Sequence, residues 1–334
     1  MASLLPKEYV NQHLTSSPSS DWETLSFELF AFRFQFRAQT SLCFPAGKAG
    51  NIVRGALGRI FRKYACTPGC PGARVCEQRS SCAYARIFEP TAGTQGPSGF
   101  ADWPRPFVIR AAHLDERRYR PGEIFHFDLH VFEMREPALA YFTFSFSQLM
   151  REGLGPGRAA TELTAVFTLD SYGQEAARIF DGRALLEPQP LILPLRPESA
   201  AVRRIRIQFL SPTELKGADE INQQPEFGIL FGRARDRLHN LRKLYGAGPL
   251  DFDFKAAGER ARQVKLLNSQ LNWEIHERRS GRTGQTHPLG GLVGTAEYEG
   301  ELDEFLPYLH AASWTGVGRQ TTWGKGHIAT TVLG

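Results

Sequence analysis

Two glycine-bearing segments occupy the same place in the two halves of this 334-residue chain. GLGPGR (153–158) and TGVGRQTTWGKG (315–326) each follow a helical stretch and precede an alternating one. Their glycine pairs, Gly155/Gly157 and Gly316/Gly318, stand 161 residues apart. That spacing is far beyond a solenoid period and points to a duplicated domain. Whatever one half folds into, the other must fold into as well. The length agrees, because roughly 100–200 residues make one domain.

The hydrophobic pattern says what each half is. Across 24–38, Phe30, Phe32, Phe34 and Phe36 fall on one face and Arg33, Gln35 and Arg37 on the other, a half-buried strand. Residues 50–64 carry a helical stripe through Ile52, Val53, Ala56, Leu57, Ile60 and Tyr64. Residues 122–133 alternate again, with Phe125, Phe127, Leu129 and Val131 opposite His126, Asp128 and His130. An aromatic-rich helix over 137–151 and a strand over 161–169 complete the first half. The second half predicts a strand at 202–210, a helix at 226–245, a hairpin or three-strand segment over 264–299, a helix at 301–314 and a closing strand at 327–333. Each half therefore reads strand–helix–strand–strand–helix–strand, the ferredoxin-like order. The expected fold is α+β, with tandem ferredoxin-like domains over 23–190 and 200–334. A polar arm over 1–22 precedes them, and a Pro-rich linker around 186–200 joins them.

Charge points to the partner. The net charge is +5, and 32 of the 40 basic residues are arginine, the better bidentate ligand for phosphate. The basic residues cluster: Lys48, Arg54, Arg59, Arg62 and Lys63 without an acid between them, then Arg203-Arg204-Ile205-Arg206, then Arg278, Arg279 and Arg282. Clustering favours a polyanion, and solvated surface faces are the plain alternative. No stretch approaches the roughly 18 apolar residues of a membrane span. The N-terminus lacks the basic and apolar regions of a secretory signal, so a cytoplasmic protein is expected.

Cys66, Cys70, Cys76 and Cys82 form C-x3-C-x5-C-x5-C inside a Gly/Pro-bearing loop, an insertion of about 65–90 in the first domain. Four thiolates so spaced can reach one tetrahedral metal. Structural zinc is the first reading; an iron–sulfur cluster and a metal-free loop remain open. Disulfides are the weaker reading in a reducing compartment. Cys43 reads as a small buried apolar residue. His126, Asp128 and His130 share a strand face at a spacing able to hold a metal, although such faces are mostly plain polar surface.

Glycine loops let backbone N–H groups approach phosphate oxygens. In the second loop Arg319 and Lys325 add charge and Trp323 a stacking surface; Arg158 is the counterpart in the first. The order helix–loop–strand argues against a P-loop or a dinucleotide fold, where the glycines lie between strand and helix. At this point the sequence resembles the CRISPR-associated endoribonucleases that process pre-crRNA, of the RAMP superfamily. The resemblance rests on FRFQF with FPAGKAGNIVRGALGRIFRK, SCAYARIFEP, PRPFVI with YRPGEIFHFDLHVF, IRIQFLSPTELK, RRSGRTGQTHPLGGLVGTAEYEG and GVGRQTTWGKGHI, together spanning roughly 24–333. It implies paired RRM-like domains holding RNA across a basic face. It also implies metal-independent cleavage of the CRISPR repeat to 2′,3′-cyclic phosphate and 5′-hydroxyl ends. The product could be retained and delivered to an effector complex.

Many members of that family carry a His on the first helix; here that helix offers Lys48, Arg54 and Arg59 instead. The expected catalytic set is His287 as base with Lys48 and Arg54 stabilising the phosphorane. The expected RNA contacts are Gly316, Gly318, Arg319, Trp323, Lys325, Arg158, Arg278, Arg279, Arg282, Arg204 and Arg206. A non-catalytic RAMP subunit that only holds crRNA is the alternative. A generic pair of RRM domains ranks last, because FRFQF and IRIQF do not match the RNP pattern.

Overall fold

Strand β1 (Ser26–Ala38) forms where the phenylalanines alternate, and Phe30, Phe32, Phe34 and Phe36 are all buried. The structure is a computed structural model describing residues 25–66, 69–73, 75–90, 103–134, 138–197, 200–216, 224–275, 277–279, 286–288 and 290–333; of 278, 279 and 286–288 it describes the backbone.

The first half continues with β2 (Leu42–Cys43), α1 (Ala49–Ala65), α2 (Ala83–Phe88), β3 (Phe107–Arg110), β4 (Arg118–Tyr119), β5 (Ile124–Val131), α3 (Leu139–Ser147), α4 (Leu149–Glu152), β6 (Thr161–Leu169), β7 (Glu175–Phe180) and β8 (Leu191–Pro194). The second half has β9 (Arg204–Thr213), α5 (Phe227–Tyr245), α6 (Phe254–Ala261), β10 (Lys265–Glu274), β11 (Glu277–Arg279), β12 (Thr286–Pro288), β13 (Gly291–Glu299), α7 (Leu306–Thr315) and β14 (Ile328–Val332).

The first sheet runs β3-β5-β1-β6-β7, with β8 on the start of β1; the second runs β10-β13-β9-β14. All the pairings are antiparallel, with Phe34 opposite Phe127 on β5 and Val166 on β6. Taking the four shared strands, both sheets have the ferredoxin-like order, second–third–first–fourth. Helices α1 and α3 cover the first sheet, and α5 and α7 the second.

Several elements differ from the sequence reading. The helix expected over 137–151 is two, α3 and α4, meeting at Gln148. The Pro-rich stretch contains β8, whose Leu191 and Leu193 pair with Leu29 and Phe27. Cys43 is exposed, not buried: in the short β2–β4 ribbon Leu42 turns inward and Cys43 outward.

The two halves share a core. Phe27, Leu29, Val108 and Phe132 of the first pack with Phe227, Leu238 and Leu241 of the second. At the seam the Tyr245 hydroxyl donates to the Pro104 carbonyl (2.7 Å) and Arg242 Nε to the Ser26 carbonyl (2.9 Å).

The seam also fixes the end of α7. The last carbonyls of a helix have no partner within it. Here Arg110 of β3 donates to Ser313 O (2.7 Å) and Trp314 O (3.3 Å), His130 Nδ1 to Trp314 O (2.9 Å), and Arg237 of α5 to Thr315 O (2.8 Å). Cations at a helix C-terminus are favoured by its dipole. Burial still costs them: it lowers Arg110 to about 9, with Arg237 adding to the effect, and Arg237 to about 10. Burial, followed by Arg110, lowers His130 to about 4, so its ring is neutral near pH 7 with the proton on Nδ1.

Candidate functional site at the domain junction

The turn FPAGKAG delivers the chain into α1. Lys48 is the N-cap, and the Asp115 carboxylate accepts the Ala49 N–H at 2.8 Å. One turn of α1 then presses against the second glycine loop. A Cβ on Gly50 would lie 2.5 Å from the Trp323 carbonyl oxygen, so only glycine permits this approach.

The loop is held on every side. Gly316 ends α7 at φ 76°, Val317 N–H donates to Gly326 O (2.8 Å), and Gly326 N–H donates to Pro212 O (3.0 Å). At Gly326, with φ 71°, a Cβ would stand 2.0 Å from the Val317 carbonyl oxygen. The Trp323 ring carries the guanidinium groups of Arg54 (4.9 Å) and Arg105 (5.8 Å). Arg54 also lies over Phe88 of α2 at 5.7 Å. Arg54 and Trp323 are thus built into the seam between the domains.

Lys325, expected as an accessible RNA contact, is buried, because α1 and the 112–116 turn of the first domain close over the loop. Burial lowers its pKa; Asp115 and Glu274 oppose that shift and Lys48 adds to it. Lys325, Asp115 and Glu274 share a cleft of about 270 Å³ that Gly47, Gly50 and Trp323 also line.

Lys48 Nζ donates to the Glu277 carbonyl, which ties α1 to β11. In the β11–β12 register Glu277 faces Pro288 and Arg278 faces His287. The backbone of His287 is therefore one pair away from the strand position that Lys48 holds. The side chains of His287, Arg278 and Arg279, and all of Arg282, lie outside the described residues.

Arg319 lines a second cavity, of about 500 Å³, with Gly318, Arg105, Lys216, Arg233 and Arg237; its guanidinium pairs with Glu214 at 2.7 Å. Arg204 and Arg206 stand on the outer face of β9, and both pair with Glu297 (2.8 and 2.7 Å). Hydrogen bonds from Arg206 and then Arg204 hold the Glu297 carboxyl below its usual range. Arg158 belongs to the first glycine loop and lines neither junction cavity. Sequence reasoning missed Asp115, Glu274, Arg110 and Arg237; nothing in their local pattern marks them.

Cys66, Cys70, Cys76 and Cys82 are all free thiols and half-buried. Among the described residues, no three His, Cys, Asp or Glu side chains are already gathered as a metal-holding group. His126, Asp128 and His130 do not form one either: Asp128 pairs with Arg33 at 2.8 Å and His130 caps α7. Among the described residues no helix is long and apolar enough to cross a membrane.

Residues 207–328, which hold this loop, match the family model of the CRISPR-associated endoribonuclease Cas6. The second half of the chain thus carries a domain that matches Cas6 endoribonucleases. Residues 27–191 match a model described as an N-terminal domain. No curated protein matches the sequence. Solved Cas6 structures share the fold. A Cas6 product complex superposes with a TM-score of 0.51 at 17% identity, covering 92% of this chain and 100% of that one. Thermus thermophilus Cas6 gives 0.50 at 15%, covering 92% and 99%. A partial Cas6-RT-Cas1–Cas2 complex gives 0.54 at 14%; it covers 93% of this chain, which spans 47% of that longer one.

Proposed function

We propose that this chain is a Cas6-type endoribonuclease that cuts the repeat of CRISPR pre-crRNA at the junction between its domains. One observation carries the reading: the glycine loop of the second domain is locked onto the start of the first domain's α1, with Lys325 lining the cleft there and Lys48 at the helix N-cap.

The reaction is a transesterification. The 2′-oxygen attacks the adjacent phosphorus, the O2′–P bond forms, and the P–O5′ bond breaks. The products are a 2′,3′-cyclic phosphate and a 5′-hydroxyl. His287 takes the 2′-OH proton. The Lys48 ammonium stabilises the charge that builds on the phosphorane oxygens. Lys325, whose lowered pKa makes it the better acid, gives a proton to the leaving 5′-oxygen. With two ammonium groups supplying the positive charge, the chemistry needs no divalent ion. Arg54 acts one step back, by holding Trp323 and so the loop. Arg278, Arg279, Arg282 and Arg319 hold the RNA backbone, and Arg204 and Arg206 extend the basic surface along β9. The cleaved RNA stays bound for transfer to a CRISPR effector complex.

The test is incubation with the repeat RNA of the protein's own locus in excess EDTA, beside RNA carrying a 2′-deoxy at each candidate position. Cutting that one 2′-deoxy abolishes supports the reading. Tight binding without cutting supports a non-catalytic crRNA-holding subunit instead, the reading favoured by the absence of a histidine from α1.

A further inference from the structure

Between Cys66 and Cys82 the chain folds with almost nothing to fold around. Among the described residues of that stretch only Ala73 is buried, Val75 is 70% exposed, and the turn over Glu77–Ser80 buries no residue. The segment's four cysteines are half-buried. Cys66 ends α1, Cys76 starts the Glu77–Ser80 turn, and Cys82 starts α2, so three of the four thiols are fixed by the ends of regular elements. All four thiols are free.

We propose that Cys66, Cys70, Cys76 and Cys82 bind one zinc ion as thiolates, and that this ion pins the 66–82 loop between α1 and α2. Four sulfurs suit zinc or iron. A single zinc ion takes four thiolates at about 2.3 Å in a tetrahedron, and one loop with its two flanking helix ends can supply them.

The site has a structural consequence. Helix α2 begins next to Cys82 and brings Phe88 against Gly58 and under the Arg54 guanidinium, which in turn covers Trp323. The ion would brace the helix that carries Lys48. The inference does not rest on the ribonuclease reading.

The full-length protein, expressed with zinc supplied, is assayed for metal by mass spectrometry and for free thiols. The expected result is about one zinc per chain, released by chelator with a fall in Tm. Cobalt substitution should give a thiolate-to-cobalt charge-transfer band. Cys70→Ser and Cys76→Ser should each lower zinc affinity by about tenfold or more, and Cys43→Ser should leave it unchanged. Should those variants fail to fold, the zinc content and cobalt spectrum of the unaltered chain still decide. Protein without stoichiometric zinc, iron with labile sulfide, or thiols lost to disulfides would each overturn the proposal.

Discussion

The two glycine loops stand at equivalent places in a duplicated fold, yet they do different work. The first closes on itself: Leu154 and Ala159 form a bridge, Arg158 adopts φ 48°, and a Cβ on Gly153 would strike the Arg158 backbone at 2.4–2.7 Å. It is a tight turn at the end of a helix. The second closes on itself and also on the other domain, with Gly50 of α1 against the Trp323 carbonyl and Gly324 against the Ile109 carbonyl. Duplication supplied a glycine turn twice. Only where that turn meets a second domain did it gain a buried lysine, a sandwiched tryptophan and a cleft.

The widest gap between the loops is expected from Gly50→Ala. The added methyl must push α1 off the loop, and displacements of that size at a reacting centre cost about a hundredfold in rate. Single-turnover cleavage of repeat RNA at saturating protein measures it. An unaltered rate would mean that the contact does not position the chemistry.

Acid should unlock the second loop before the first. His130 is held neutral at the Trp314 carbonyl with its pKa lowered to about 4, against 6.5 for an ordinary histidine. A lowered folded value means that the unfolded chain binds the proton first. Stability from this group is complete above pH 6.5 and is lost as pH falls toward 4, by about 3 kcal/mol. Urea unfolding against pH should show the loss, and His130→Gln should lessen it, the rest coming from His327, which burial lowers as well. Hydrogen exchange over that range should rise at 315–326 before it rises at 153–158.

Two smaller effects sharpen the contrast. Gly55 lies on α1 close to Gly50 but with nothing within 4 Å of its Cβ position. Gly55→Ala should therefore stabilise the protein by about 1 kcal/mol, read from its thermal unfolding, and leave cleavage unchanged. Arg158→Ala should leave the salt dependence of RNA binding where it is. Loss of one phosphate contact would instead change the slope by about 0.7.

How much of this was legible depended on how local the signal was. The Phe30–Phe36 alternation, the α1 stripe and α5 each announce themselves within one element, so the ferredoxin-like order could be read directly. Strand β8 could not, because its partner Ser26–Leu29 lies more than 160 residues away and prolines surround it. The burial of Lys325 was hidden for the same reason: WGKG looks like an open basic loop until α1 and Asp115 are placed over it. Arg110 and Arg237 look like two more members of an arginine-rich chain. Their role appears only when β3 and α5 are seen to converge on the end of α7. Trp323 was legible as important but not as a seam residue, since Arg54 and Arg105 approach it from the other domain.

The central claim is that chemistry occurs where the second glycine loop meets the start of α1. Its most direct test compares Lys48→Ala with the unaltered protein on the same repeat RNA, reading affinity and single-turnover rate separately. The account predicts a rate lower by about a hundredfold with affinity changed less than about threefold. An unchanged rate at saturating protein, or a loss confined to affinity, would contradict it.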